Sequence, residues 1–286
     1  MFDQKKVKNL VLSSLVADAY SLGAHWVYDE KQLANESIDW NELNTPLAIW
    51  HKDKKAGDFT HYGDQAFWLY DFLKDKDSFD VNAFRDYWFS KMQTYQGYID
   101  GATRNTIQNI NDGVNPSGSD SSDLSVVGRI VPLLKVSKTK EEFYENAKSL
   151  AQMTHNSQKS INATNFFAKL LVMALDKKEL EESIEELKHE FDTKIQGFIT
   201  NAIESKDSDT FNTIRSFGPA CDVDEGFGGI LHLLCKYDNF KDMMICNAKA
   251  GGDSSARGMI AAAIFMANQP ISQIPQKWLA IKEIIE

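Results

Sequence analysis

Three aspartates stand where carboxylates can do chemistry. Asp18 follows Val11 and Leu15 and precedes Leu22 at spacings of three or four residues, so a helix carrying them turns a carboxylate inward. A buried carboxylate needs partners, such as an arginine or backbone amides. Asp64 closes the polar, glycine-punctuated stretch Gly57-Asp58-Phe59-Thr60-His61-Tyr62-Gly63 and leads into an aromatic helix through Phe67, Trp68 and Phe72, which puts it at an N-cap position. Asp253 follows Gly251-Gly252, where the backbone can pass close to something, and precedes Ser254-Ser255-Ala256-Arg257-Gly258 at a helix start. An anion, a metal or a cap all make sense there.

Further polar groups break the apolar pattern. His25 lies one or two turns beyond Asp18, in Ser21-Leu22-Gly23-Ala24-His25-Trp26. Asp100 opens Asp100-Gly101-Ala102-Thr103-Arg104, and His155 sits in Thr154-His155-Asn156. Arg129, set among Val126, Val127, Ile130 and Val131, is expected to reach a buried acid or a phosphate. These segments are either unrelated caps or the lining of one shared pocket. The pocket explains them with a single assumption.

The elements that must position these residues are helices. Val7, Val11 and Leu15 form one stripe; Phe84, Trp88 and Met92 another; Ala163, Phe167, Leu170 and Leu171 a third. No hairpin signal is flanked by alternating strands, so the expected class is all-α, a single compact helical bundle over residues 1–286. Asp112-Gly113 and the following Asn115-Pro116-Ser117-Gly118-Ser119 make a turn-rich loop. The Lys- and Glu-dense run from Asp176 to Glu190 reads as a solvated helix face.

Composition narrows the classes. A content of 43% hydrophobic residues supplies a core without staples, and a net charge of -10 argues against a nucleic-acid partner, whose affinity comes mainly from clustered Lys and Arg. Cys221, Cys235 and Cys246 show no C-x-x-C spacing, lie in segments that read as helix, and are expected to be reduced core thiols. The first apolar run is broken by Ser13, Ser14 and Asp18, and no window is apolar enough for a membrane span, so the expected location is the cytoplasm.

The ordered stretches Asp18-Ala19-Tyr20-Ser21-Leu22-Gly23-Ala24-His25-Trp26, Tyr62-Gly63-Asp64-Gln65, Asp100-Gly101-Ala102-Thr103 and Gly251-Gly252-Asp253-Ser254-Ser255-Ala256-Arg257-Gly258 span nearly the whole chain. In order and content they resemble the ADP-ribosylglycohydrolase family, and within it the branch of the J-type crystallins and selenoprotein J. The resemblance implies an all-α enzyme fold in which carboxylates hold two divalent cations. It also implies an ADP-ribosylated or other small-molecule substrate, with Asp18, Asp100, Arg129 and His155 on the substrate side.

Against the family pattern this chain has lost ligands. The Thr-Asp-Asp motif falls on Tyr62, Gly63 and Asp64, and the Asp-x-Asp-Thr motif on Asp253, Ser254, Ser255 and Ala256. A catalytic-region glutamate of active relatives falls on His25. Mg²⁺ demands near-octahedral oxygen coordination, so two ions beside Asp64 and Asp253 alone would be underliganded. What remains open is one weakly held Mg²⁺ or Mn²⁺ at Asp64, Asp253 and Ser254.

Two functions are therefore expected in parallel. The first is a hydrolase of an ADP-ribosyl or related glycosidic bond: Asp64 or Asp253 activates water, His25 supplies the acid, and Arg129 holds a phosphate. The second is a descendant without catalysis that binds a nucleotide or sugar or serves a crystallin-like role.

Overall fold

The computed structural model describes residues 2–34, 38–283 and 285. Their regular structure is helical: α1 (Gln4–Ser21), α2 (Glu30–Leu33), α3 (His61–Phe72), α4 (Val81–Met92), α5 (Gly101–Asn111), α6 (Lys140–Thr154), α7 (Gln158–Leu175), α8 (Leu180–Lys188), α9 (Thr193–Glu204), α10 (Thr210–Phe217), α11 (Val223–Lys236), α12 (Phe240–Lys249) and α13 (Ser254–Met266). Short 3-10 turns interrupt the loops at Ile49–His51 and Leu124–Arg129. Paired extended backbone among the described residues is confined to isolated bridges such as Val27 with Gly252 and Asp123 with Asp222. The all-α expectation holds.

The bundle is organised around α13, every residue of which is buried. Its sequence explains this: Ser254, Ser255, Ala256, Gly258 and Ala261 to Ala263 are small enough for neighbours to close on them, while Ile260, Ile264 and Phe265 carry the apolar surface. A Cβ on Gly258 would lie 2.9 Å from Ser21 Oγ, which shows how near α1 runs to α13. Their contact is the most extensive in the fold. Val7, Val11 and Leu15 of α1 are buried, and so are the stripes of α4 and α7, as their spacing predicts. The charged run lies on and around α8, which buries only Ser183, Ile184 and Leu187.

Two sequence expectations need correction. Thr60, not Asp64, caps α3: its side chain accepts from Tyr62 N–H, and Asp64 sits one turn inside the helix. Cys221 lies in the bend before α11 rather than in a helix; it, Cys235 and Cys246 are all free but only half-buried.

The segment after α13 folds back over the first third of the chain. Trp278 stacks on Tyr20 at 3.8 Å and donates through Nε1 to Asn41 O at 3.0 Å. Lys282 N–H then reaches Gly57 O at 2.9 Å. No helix among the described residues is long and apolar enough to cross a membrane.

Candidate functional site

The site is built on the first turn of α3, which meets α1, α13 and the loops around His51 and Asp100. Thr60, at the cap, serves two structures at once. Its hydroxyl donates to Asp18 Oδ1 at 2.6 Å and its N–H to Asp18 Oδ2 at 2.8 Å. Ser255 Oγ, from the first turn of α13, also donates to Oδ1. Asp18 is thus an internal clamp that ties α1 to α3 and α13. Burial raises its carboxyl above the usual range, and these donors oppose that rise. Gly63 stands directly against it: a Cβ there would lie 2.6 Å from Asp18 Cγ and 2.9 Å from Phe59 Cβ.

One turn on, Asp64 accepts from Tyr95 OH at 2.6 Å and from Lys54 Nζ at 2.6 Å on Oδ2, while Lys282 Nζ occupies Oδ1. These groups form part of the wall of a cavity of about 400 Å³ whose other sides include Trp50, Trp68, Tyr98 and His51. Trp50 is 51% exposed at its rim and packs edge-on against Tyr98. Of the candidate catalytic, binding and metal residues named from the sequence, Asp64 is the one that lines this cavity.

Asp253 lies deeper. It caps α13 by accepting from Ala256 N–H at 3.0 Å, accepts from Tyr62 OH at 3.1 Å, and approaches His25 Nδ1 at 3.4 Å. One oxygen of Asp253, one of Asp123 and the Cys221 sulfur lie within 4.8 Å of one another. Burial and the Asp123 charge push the Asp253 carboxyl up to about 7. The loop leading in needs both glycines. Gly251 and Gly252 have φ of 68° and 59°, and a Cβ on Gly252 would lie 2.7 Å from that of Pro219. Arg257 fastens the same loop through Gly251 O at 2.5 Å and Pro219 O at 2.9 Å.

The remaining candidates form a second layer. Asp100 caps α5 through Thr103 N–H at 2.6 Å and faces His61 Nε2 at 3.2 Å. Burial alone would raise its carboxyl, but the His61 ring and the Thr103 amide together lower it. Arg129 is buried and spends its Nη1 on Gln65 Oε1 at 2.9 Å and Thr154 Oγ1 at 3.4 Å. His155 Nδ1 meets the same Thr154 hydroxyl at 2.9 Å, and burial with the Arg129 charge lowers its pKa to about 3. His25 is fully buried and held neutral by burial and by its histidine neighbours. Ser254 Oγ turns to Ser21 O at 3.4 Å.

The family model for ADP-ribosylglycohydrolase matches residues 2–283. The chain belongs to the ADP-ribosylglycohydrolase family. Crystallin J1A of Tripedalia cystophora is 22% identical, covering 97% of this chain and 92% of its own, and Crystallin J1B of the same organism is 22% identical over 96% and 91%. A solved structure described as an ADP-ribosylglycohydrolase-related protein complex superposes with a TM-score of 0.73 at 18% identity, covering 96% of this chain and 91% of that one.

Within this ADP-ribosylglycohydrolase fold, several site residues carry no local sequence signal. Lys54 and Lys282 come from loops and read as ordinary surface charges. His51 lies in a 3-10 turn without periodicity, and His61 was read only as part of a polar stretch. Asp123 ends the polar stretch Ser119-Asp120-Ser121-Ser122, six residues before Arg129.

Proposed function

We propose that this family member binds a phosphate-bearing nucleotide or sugar of the ADP-ribosyl class in the cavity above Asp64, and that it does so without the two-cation chemistry implied by its family. The observation that carries this reading is the pair of ammonium groups, Lys54 and Lys282, held on Asp64 in the wall of an aromatic-lined cavity. Each ammonium has three donors and places one on Asp64, so the others are available to a phosphate. Trp50, Trp68 and Tyr98 offer flat faces for a base.

Divalent cations fit these residues poorly. Both Asp64 oxygens are taken by ammonium and phenol groups, and both Asp18 oxygens by Thr60 and Ser255. Asp64, Asp253 and Ser254 each turn to other partners: Asp64 to Lys54, Tyr95 and Lys282, Asp253 to Tyr62 and Ala256 N–H, and Ser254 to Ser21 O. The charge that cations would bring to Asp64 is already supplied by the two lysines. His25, neutral and buried, is a poor general acid, and Arg129 is committed to Gln65 and Thr154 rather than to the cavity.

A second reading, cleavage of a glycosidic bond without metal, has one observation in its favour. Asp253, held protonated near neutrality beside Asp123, has the character of a general acid. It is 1% exposed, so substrate would have to enter past Tyr62.

Calorimetric titration with ADP-ribose in the presence of EDTA separates the readings. Binding that survives the chelator and weakens about tenfold or more in Lys282→Ala supports the cavity. Mg²⁺-dependent release of ADP-ribose from a modified substrate, abolished by Asp64→Ala, would overturn it.

A further inference from the structure

Beside the acid clamp, and independent of the nucleotide reading, three histidines from three separate segments come together in the interior. His25 follows α1, His51 sits in the 3-10 turn at Ile49–His51, and His61 opens α3. One ring nitrogen of each lies within 4.8 Å of the others, and all three rings are buried. His51 Nε2 and His61 Nδ1 face each other at 3.2 Å. His25 Nε2, His51 Nδ1 and His61 Nε2 are buried with no hydrogen-bond partner.

The outer edges of two of these rings meet carboxylates. His25 Nδ1 is 3.4 Å from Asp253 Oδ1, and His61 Nε2 is 3.2 Å from Asp100 Oδ2. A ligating histidine ordinarily donates its second N–H to a carboxylate, which fixes the tautomer and aims the other nitrogen's lone pair at the metal. With protons on those outer nitrogens, His25 Nε2 and His61 Nδ1 turn lone pairs inward, as does His51 Nε2 when its proton is on Nδ1. The Ser255 N–H, 3.4 Å from His25 Nδ1, is the contact given up.

We propose that His25, His51 and His61 hold one borderline transition-metal ion of the Zn²⁺ class through three imidazole nitrogens. Tetrahedral Zn²⁺ at about 2.0–2.1 Å from nitrogen sets ligand atoms about 3.3 Å apart, which the His51–His61 separation of 3.2 Å already meets. His25 has to close a gap of at most about 1.5 Å, within reach of ring torsion. All-imidazole ligation selects Zn²⁺, Cu²⁺ or Ni²⁺ over Mg²⁺. Trp26, stacked on His25 at 4.6 Å, and Tyr98, 5.3 Å from His61, wall the cluster with aromatic surface. Because His51 and Tyr98 also line the cavity, a fourth coordination position on that side is open to water or to an oxygen of a bound molecule. Three protein ligands with an open position are the pattern of reactive rather than structural zinc.

The test uses the full chain, stripped with a chelator and titrated with ZnCl₂ by calorimetry and with CoCl₂ by visible absorption. The expected result is one ion per chain and the ligand-field bands of tetrahedral Co²⁺. Affinity should fall by about 100-fold or more in His51→Gln and His25→Gln, and stay unchanged in His189→Gln, at an exposed position. No binding by the folded chain, or undiminished binding in His51→Gln, overturns the proposal. Should the histidine variants fail to fold, anomalous diffraction from Zn²⁺-soaked crystals of the unmodified chain decides: a peak among the three rings supports it, and peaks only at His189 or surface carboxylates defeat it.

Discussion

The Lys282 ammonium rests on Oδ1 of Asp64, although the two residues are 218 positions apart in the chain. Lys54 holds the other oxygen, so the Asp64 carboxylate is neutralised twice by the protein itself. Replacing Lys282 with Met leaves Lys54 and Tyr95 in place and is expected to cost about 1–2 kcal/mol in urea denaturation. The Lys54→Met/Lys282→Met pair strands a nearly buried carboxylate and should cost about 3–5 kcal/mol. Two small, additive losses would mean that the ammonium groups are merely solvated neighbours.

Gly63 yields the sharpest contrast with the family pattern. Restoring an acid there by Gly63→Asp adds a Cβ against the Asp18 carboxylate and a second charge beside it. Loss of more than about 3 kcal/mol of stability is expected, with no gain in Mg²⁺ binding. A stable variant that binds Mg²⁺ would show that the site is one substitution from holding a divalent cation.

Titration of the unmodified chain with Mg²⁺ or Mn²⁺ should raise the melting temperature little, because an ion that binds only the folded state stabilises it by RT ln(1 + [L]/Kd). Two tight sites per chain by calorimetry would contradict the partner assignments of Asp18 and Asp64.

His155 should make the fold sensitive to acid. Its pKa is lowered to about 3 in the folded protein and returns to about 6.5 on unfolding. Between those values the unfolded state binds more protons, so stability rises with pH across that window and is flat above it for this group. The difference between wild type and His155→Gln should shrink as pH falls from 7 toward 4, by at most about 1.4 kcal/mol per unit. Asp253 acts in the opposite sense, since its folded pKa of about 7 lies above its unfolded value. Denaturation curves at several pH values, with Asp253→Asn as a second reference, separate the two.

The helical class was legible because burial imposes a 3.6-residue rhythm that survives in the order of residues: Phe84, Trp88 and Met92 are buried as their spacing says. Asp18 was legible for the same reason, as a charge on an apolar stripe. The glycine pair before Asp253 announced a close backbone approach, and φ values of 68° and 59° bear that out. The convergence on one open pocket was overdrawn. Asp18 and Asp253 are interior clamps, and the cavity takes Asp64 alone. Lys54, Lys282 and His51 escaped notice because loop residues carry no periodicity, and their significance rests on tertiary contacts to α3 rather than on neighbours in sequence.

The return of the segment around Trp278 to the first third of the chain has a consequence in time as well as space. Synthesis proceeds from the N-terminus, so Lys282 leaves the ribosome after the helices it will serve. A nascent or clipped molecule presents Asp64 with one counter-charge missing, and the proposed phosphate site stays unfinished until residue 282 has been translated and has docked on Gly57.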